Sequence, residues 1–296
     1  PEHAGVTLPL LTLPVLRLLA GILAAAVLLQ TGRVAALQLG DFESETALWL
    51  WLGFGVGGSV ALLALASLEF LRRSDDAIVI WLEQAAIWLL AAAIAFAVPV
   101  LFAGLRVWQE ALTLVSVATL AIAVLAYALG LDWLQRRWPR RSIGRAVAFL
   151  GIIGVAVTLM GTVLIFNPLW AAADVGETPV FNGLLWVYGV PALLVGGLGW
   201  RWWTVRPKLE VAAVCSALGL LALLMLLEIR HWFHPTSMDR GMAGDAEHYS
   251  YSVAAILFGA GLMAGGIIGR QARLRQAALA VIAVAVCKVF LFDAAA

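Results

Sequence analysis

The 296-residue chain is 63% hydrophobic and only 12% charged, with a mean hydropathy of +0.98 and a net charge of +1. A soluble domain is about half apolar and a quarter charged, so these residues cannot cover a water-facing surface, and lipid is the solvent for most of the chain. That excludes a soluble globular protein, and nothing in the charge pattern reads as nucleic-acid recognition.

A helix needs about 20 apolar residues to cross the hydrocarbon. By that measure the chain predicts nine spans, at about 8–30, 46–70, 77–102, 108–131, 143–167, 179–203, 209–231, 249–269 and 273–293. Open sheet edges are unsatisfied in lipid, so the expected fold is all-α, a polytopic transmembrane helix bundle. The links are short except at about 31–45 and 232–248. Beginning at Pro1 and stopping in Ala294, Ala295 and Ala296, the chain reads as a piece of a longer polypeptide. Cys215 and Cys287 fall inside apolar runs, as small core residues rather than a disulfide or metal pair.

Sorting the links alternately puts fourteen basic residues on one side, among them the 136–145, 201–208 and 270–275 clusters. The other side receives four: Arg33, Arg106, Arg230 and Arg240. By the positive-inside rule the basic side is cytoplasmic, which places the protein in a bacterial inner membrane. The acids and the long links gather outside.

An internal repeat is expected. Arg17, Arg145 and Arg275 each open a span, 128 and 130 residues apart, and Glu45-Thr46 matches Glu177-Thr178 at 132. The unit is four helices, and an even number of crossings makes the repeats parallel. The divisions are 1–142, 143–272 and the opening helix of a third repeat at 273–296. Gly261, Gly265 and Gly269, like Gly53 and Gly57, are small-xxx-small steps suited to close helix packing.

The polar residues concentrate around the seventh and eighth spans. Glu228, His231 and His234 stand three apart, able to share a helical face. A divalent metal is one use of such spacing, but two histidines without a third fixed ligand make a weak metal signal. Acid–base work by His231, His234 and Glu247 is a second reading. Capping at the membrane edge, with Glu228, Arg230 and Glu247 paired, is a third. Tyr249, Ser250, Tyr251 and Ser252 either cap the eighth span or line a polar cavity. Lys288 lies deep in the last span, where a charge is costly unless paired or wet; Glu228 and Glu110 are the expected partners. Glu110 pairs alternatively with Arg106. Glu83, in the inner half of its span, is a second buried acid for Arg17 or Arg72 to neutralise.

The segments Arg230-His231-Trp232-Phe233-His234, Glu247 to Ser252, Leu274-Arg275 and Lys288 to Asp293, with Thr178 to Gly183, resemble a bacterial family of large multi-pass membrane proteins, domain of unknown function 2339. The resemblance implies an inner-membrane protein and imports no activity. Three functions remain open. One is a transporter-like handler of an envelope-related or amphiphilic substrate, binding through Arg230, Glu228, Tyr249, Tyr251, Ser252, Lys288 and Glu110. A membrane enzyme predicts a pocket over His231, His234 and Glu247. A scaffold predicts those residues paired among themselves. No cofactor or metal is expected; the partners are membrane lipid, other membrane subunits or further parts of the same chain.

Overall fold

The computed structural model describes residues 49–71, 77–104, 112–176, 178–202, 206–235 and 238–293. The helices among them are α1 (Gly58–Leu71), α2 (Ala77–Ala103), α3 (Leu114–Arg137), α4 (Arg141–Val157), α5 (Val190–Trp202), α6 (Pro207–Phe233), α7 (Asp245–Ile268) and α8 (Ala272–Lys288). Wider π turns lead into α1 at Trp51–Gly57 and into α5 at Leu185–Gly189, and extend α4 at Thr158–Ile165 and α8 at Val289–Asp293. No strand occurs among the described residues.

Seven helices among the described residues are long and apolar enough to cross a membrane. The large apolar side chains Phe54, Trp81, Leu257, Val284 and Ile268 stand exposed on them, as a surface solvated by lipid requires. The expected span at 8–30 lies outside the described residues, and the one expected from 108 begins at Leu114. The span expected at 179–203 does not reach that length and hydropathy. Its regular part is only Val190–Trp202, and Gly196, Gly197, Gly199 and Arg201 dilute its apolar character. It is nonetheless deeply buried: Leu184, Val187, Tyr188, Val195 and Leu198 are fully enclosed.

Two compact units divide the chain, one built on Pro1–Leu112 and Thr119–Gly154, the other on Thr113–Ala118 and Val155–Ala296. In the first, α1 packs on α2 around Leu52, Val56, Leu63, Leu82 and Leu89. Gly154 of α4 lies so near α3 that a Cβ there would stand 2.6 Å from Leu125 Cδ2. One end of this unit is tied by Glu83, which accepts from Arg140 Nε at 2.9 Å and from Ser142 Oγ. Arg140, not Arg17 or Arg72, is the partner the structure gives Glu83. The four-arginine turn therefore also closes the helix ends.

In the second unit α5 packs on α6, α6 on α7 and α7 on α8. Tyr188 is fully buried, and its hydroxyl donates to the Thr162 carbonyl at 2.8 Å. At one end the buried Glu210 carboxylate of α6 is paired with Arg273 of α8. A tight turn links α7 to α8. Gln271 N donates to Gly266 O at 2.9 Å and Arg270 N to Ile267 O at 3.2 Å, with Arg270 at φ 52°. That is a Schellman helix end carrying arginine where glycine is usual.

The glycines that bring α7 against α8 differ from those expected. A Cβ on Gly259 would stand 2.5 Å from Ile282 Cγ1, and one on Gly266 2.9 Å from Arg275 N. Gly261 has nothing within 4 Å and Gly265 only Leu274. Gly259 and Gly266 are seven residues apart, two turns on one face, whereas a fourfold step from Gly261 drifts off the contact. The cysteines are free but exposed on the helices, not in the core. Gly266→Ala is expected to destabilise the α7–α8 hairpin by about 1–3 kcal/mol, because backbone must move, while Gly261→Ala is neutral. Unfolding of both variants in a mixed-micelle titration checks this, and equal midpoints would refute the assignment.

Candidate functional site

Helix α6 ends where it does because Pro235 disfavours helical backbone at the preceding residue. His234, at φ −131° and ψ 69°, caps it by donating its backbone N–H to Arg230 O. The chain turns back at Gly241, whose φ of 87° suits glycine, and a Cβ there would stand 2.9 Å from the His234 ring. Helix α7 then opens after Gly244 with Asp245 and Glu247 in its first turn, where the helix dipole favours anions.

Glu247 is the hub. Only 1% exposed, its carboxylate accepts from Arg230 Nη1 at 3.1 and 3.2 Å, and from the Tyr251 hydroxyl at 2.7 Å. His234 Nε2 stands 3.0 Å from Oε2. An ionised carboxylate only accepts, so Nε2 carries the proton. Arg230 spends its other donors on the loop: Nε on Met238 O at 3.1 Å, Nη2 on Arg240 O and Gly241 O at 2.9 and 2.8 Å. A buried charge tolerates such a place only when its partners are complete. Here they are.

Lys288, in the last turn of α8, is joined to α7. Its Nζ donates to His248 O at 3.0 Å and to Ser252 Oγ at 2.7 Å. The expected partner Glu228 turns the other way: Oε2 accepts from Val180 N at 3.2 Å and Asn182 Nδ2 at 3.1 Å. Glu228 and Arg230 are two apart on one helix, about 200° around it, so a helix presenting Arg230 to α7 presents Glu228 to the 178–182 loop. Glu228 Oε1 is buried with no partner among the described residues. Glu110 and Arg106 lie outside the described residues, and Tyr249 is exposed.

His231 is separated from His234. It is 2% exposed, and its Nδ1 has no hydrogen-bond partner among the described residues. His231 is among the residues lining a cavity of about 400 Å³, with Asp174, Pro235, Met238, Asp239 and Arg240. Neither His234 nor Glu247 is on that wall. A second cavity, of about 600 Å³, runs between α6, α7 and α8. Leu223, Leu226, Ala255, Ala280 and Val284 make it apolar, and Tyr251 and Lys288 are its polar groups. From Ala280 to Lys288 the wall rises roughly 12 Å.

No three His, Cys, Asp or Glu side chains converge to hold a metal among the described residues. Sequence reasoning missed Asn182, Asp174, Asp239 and the carbonyls of Met238 and Gly241. The helix-breaking Pro235 and the glycine at Gly241 were the available signals for the folded-back loop. No curated protein and no solved structure matches the chain. A family described as Predicted membrane protein (DUF2339) does match, over residues 6–296, and the chain belongs to it.

Proposed function

We propose that this is a bacterial inner-membrane protein that handles an envelope-related amphiphile, transporter-like, from the end of the bundle that carries Arg230 and Glu247. The observation that carries this reading is the cavity of about 600 Å³. Its walls suit an acyl chain, and Lys288 at one end suits an anionic head. The reading favoured less is an extracytoplasmic His-based enzyme. His234 Nε2 is committed to Glu247, and Glu247 to three side chains, which makes a brace rather than a base awaiting a proton.

In this reading the whole chain crosses nine times, in parallel four-helix repeats, with the basic links in the cytoplasm. Two ion pairs support the repeat. Glu83 of α2 pairs with Arg140 at the start of α4, and Glu210 of α6 with Arg273 at the start of α8. Each joins the first turns of a helix to the beginning of the helix after next. The acids are 127 residues apart and the arginines 133, bracketing the 128–132 spacing read from the sequence.

Three measurements test this. With Cys215 and Cys287 replaced by Ala, a membrane-impermeant maleimide added to intact spheroplasts should label Met242→Cys, and Trp138→Cys only after permeabilisation. The reverse pattern would invert the orientation. Purified protein in detergent should bind phosphatidic acid, and Ala280→Trp, which fills the groove, should abolish that binding. Lys288→Met should weaken it about 10–100-fold, the loss of one charge-assisted hydrogen bond; unchanged affinity in both variants defeats the proposal. Glu247→Ala leaves the largely enclosed Arg230 guanidinium with its loop carbonyls but no counter-charge, so it should destabilise the fold by about 3 kcal/mol, read as the unfolding midpoint. A variant that unfolds like the wild type would return Glu247 to the catalytic reading.

A further inference from the structure

The two cavities of the second unit are lined by neighbouring stretches of chain. Leu169 lines the apolar one and Pro168, its chain neighbour, lines the polar one. On α6, Leu227 faces the first and His231 the second, one turn and roughly 6 Å further toward the outer end. A polar chamber thus stands above an apolar one along the same helix, with Lys288 and Tyr251 among the groups lining the lower one. This is the layout of an amphiphile: tail, charge, head.

The polar chamber has its own chemistry. Asp174 and Asp239 accept, Arg240 donates, and the Arg240 guanidinium stands 3.6 Å from Asp239. Charges of both signs on one wall leave little net attraction for an ionic group. They suit a group that donates and accepts at once, as a hydroxyl does. His231 adds a buried polar ring with a nitrogen that meets no partner among the described residues. A buried polar group is ordinarily satisfied, so the ring's unused capacity marks this wall as built for hydrogen bonding. At about 400 Å³ the chamber falls within the usual range of small-ligand pockets and far exceeds the share of one water.

We propose that the chamber lined by His231, Asp174, Asp239 and Arg240 is a headgroup site for an uncharged polyol, carried on the phosphate of the amphiphile whose chain occupies the apolar groove. This rests on the amphiphile reading above and names its substrate class: an anionic lipid with a hydroxylated head. His231 is a specificity residue here, and Lys288 serves the phosphate common to all such lipids.

The test compares phosphatidylglycerol with phosphatidic acid of the same acyl chains, each titrated into the full chain in detergent and read by native mass spectrometry. The two probes share tails and phosphate and differ by the glycerol head. The wild type should hold phosphatidylglycerol about tenfold more tightly. His231→Phe, which keeps the ring's bulk and removes its nitrogens, should bring phosphatidylglycerol down to the level of phosphatidic acid and leave phosphatidic acid unchanged. Asp239→Asn, an isosteric change in the connecting loop, should reduce the same preference. Equal binding of both lipids by the wild type, or a preference that survives both substitutions, overturns the headgroup site while leaving the groove intact. A wild type that retains neither lipid overturns the headgroup site together with the amphiphile reading.

Discussion

The Arg230–Glu247 pair is the interaction on which the end of the second unit where α6 gives way to α7 depends. Glu247 sits at the first turn of α7 and Arg230 in the last turn of α6, so the bond fixes where one helix stops against where the next begins. Arg230 then reaches past the carboxylate to three carbonyls of the connecting loop. A lysine offers one point charge and could not hold both; the planar guanidinium can, because its donors diverge at fixed angles. The loop is thereby folded back over the helix ends, and the wall of the polar chamber, Met238 to Arg240, is a consequence of that fold.

A different solution occurs once in each unit. Glu83, partly buried, and Glu210, fully buried, are acids near helix starts, each answered by an arginine two helices later. Removing such an arginine would strand a carboxylate in a medium of low dielectric, which makes these pairs fixtures of assembly. In the second unit both ends are thus closed by ion pairs, while within each unit the helices are held by apolar packing, with close approach at Gly154, Gly259 and Gly266. Polar interactions set helix register, and contact area supplies cohesion, as expected where lipid removes the hydrophobic drive between helices.

Much of this was legible in the sequence, for identifiable reasons. Long apolar runs bounded by arginine mark their own helices, and seven of the nine expected runs appear among the described residues as helices of spanning character. The short helix α5 falls below spanning length and hydropathy because three glycines and Arg201 dilute an otherwise apolar run, part of which is enclosed by protein. The Lys288 partner was misjudged for a related reason. Depth along the bundle brought Glu228 to mind, but azimuth around α6 decides the contact, and azimuth is invisible until neighbours are placed. The partners Lys288 has are a backbone carbonyl and a serine hydroxyl, which charge pairing alone does not point to. His231 and His234 looked equivalent by spacing, yet Pro235 takes His234 out of the helix and sends the two rings to different surroundings. Small-residue steps likewise revealed that α7 would pack closely, not which face would do so.

An apolar groove has a different meaning in a bilayer than in water. In a soluble protein a void lined by leucine and alanine stays dry. In the membrane the surrounding solvent is itself acyl chain, so filling the groove between α6, α7 and α8 gains little over leaving the chain in bulk lipid. Selectivity cannot then come from Ala255, Ala280 or Val284, which treat every tail alike. It has to come from the few groups that a tail cannot satisfy: an ammonium and a phenol lining the groove, and an imidazole with two carboxylates above it. The scarcity of polar residues that marks the whole sequence therefore makes those that remain informative, and places any chemical discrimination within about two helical turns of the C-terminal end of α6.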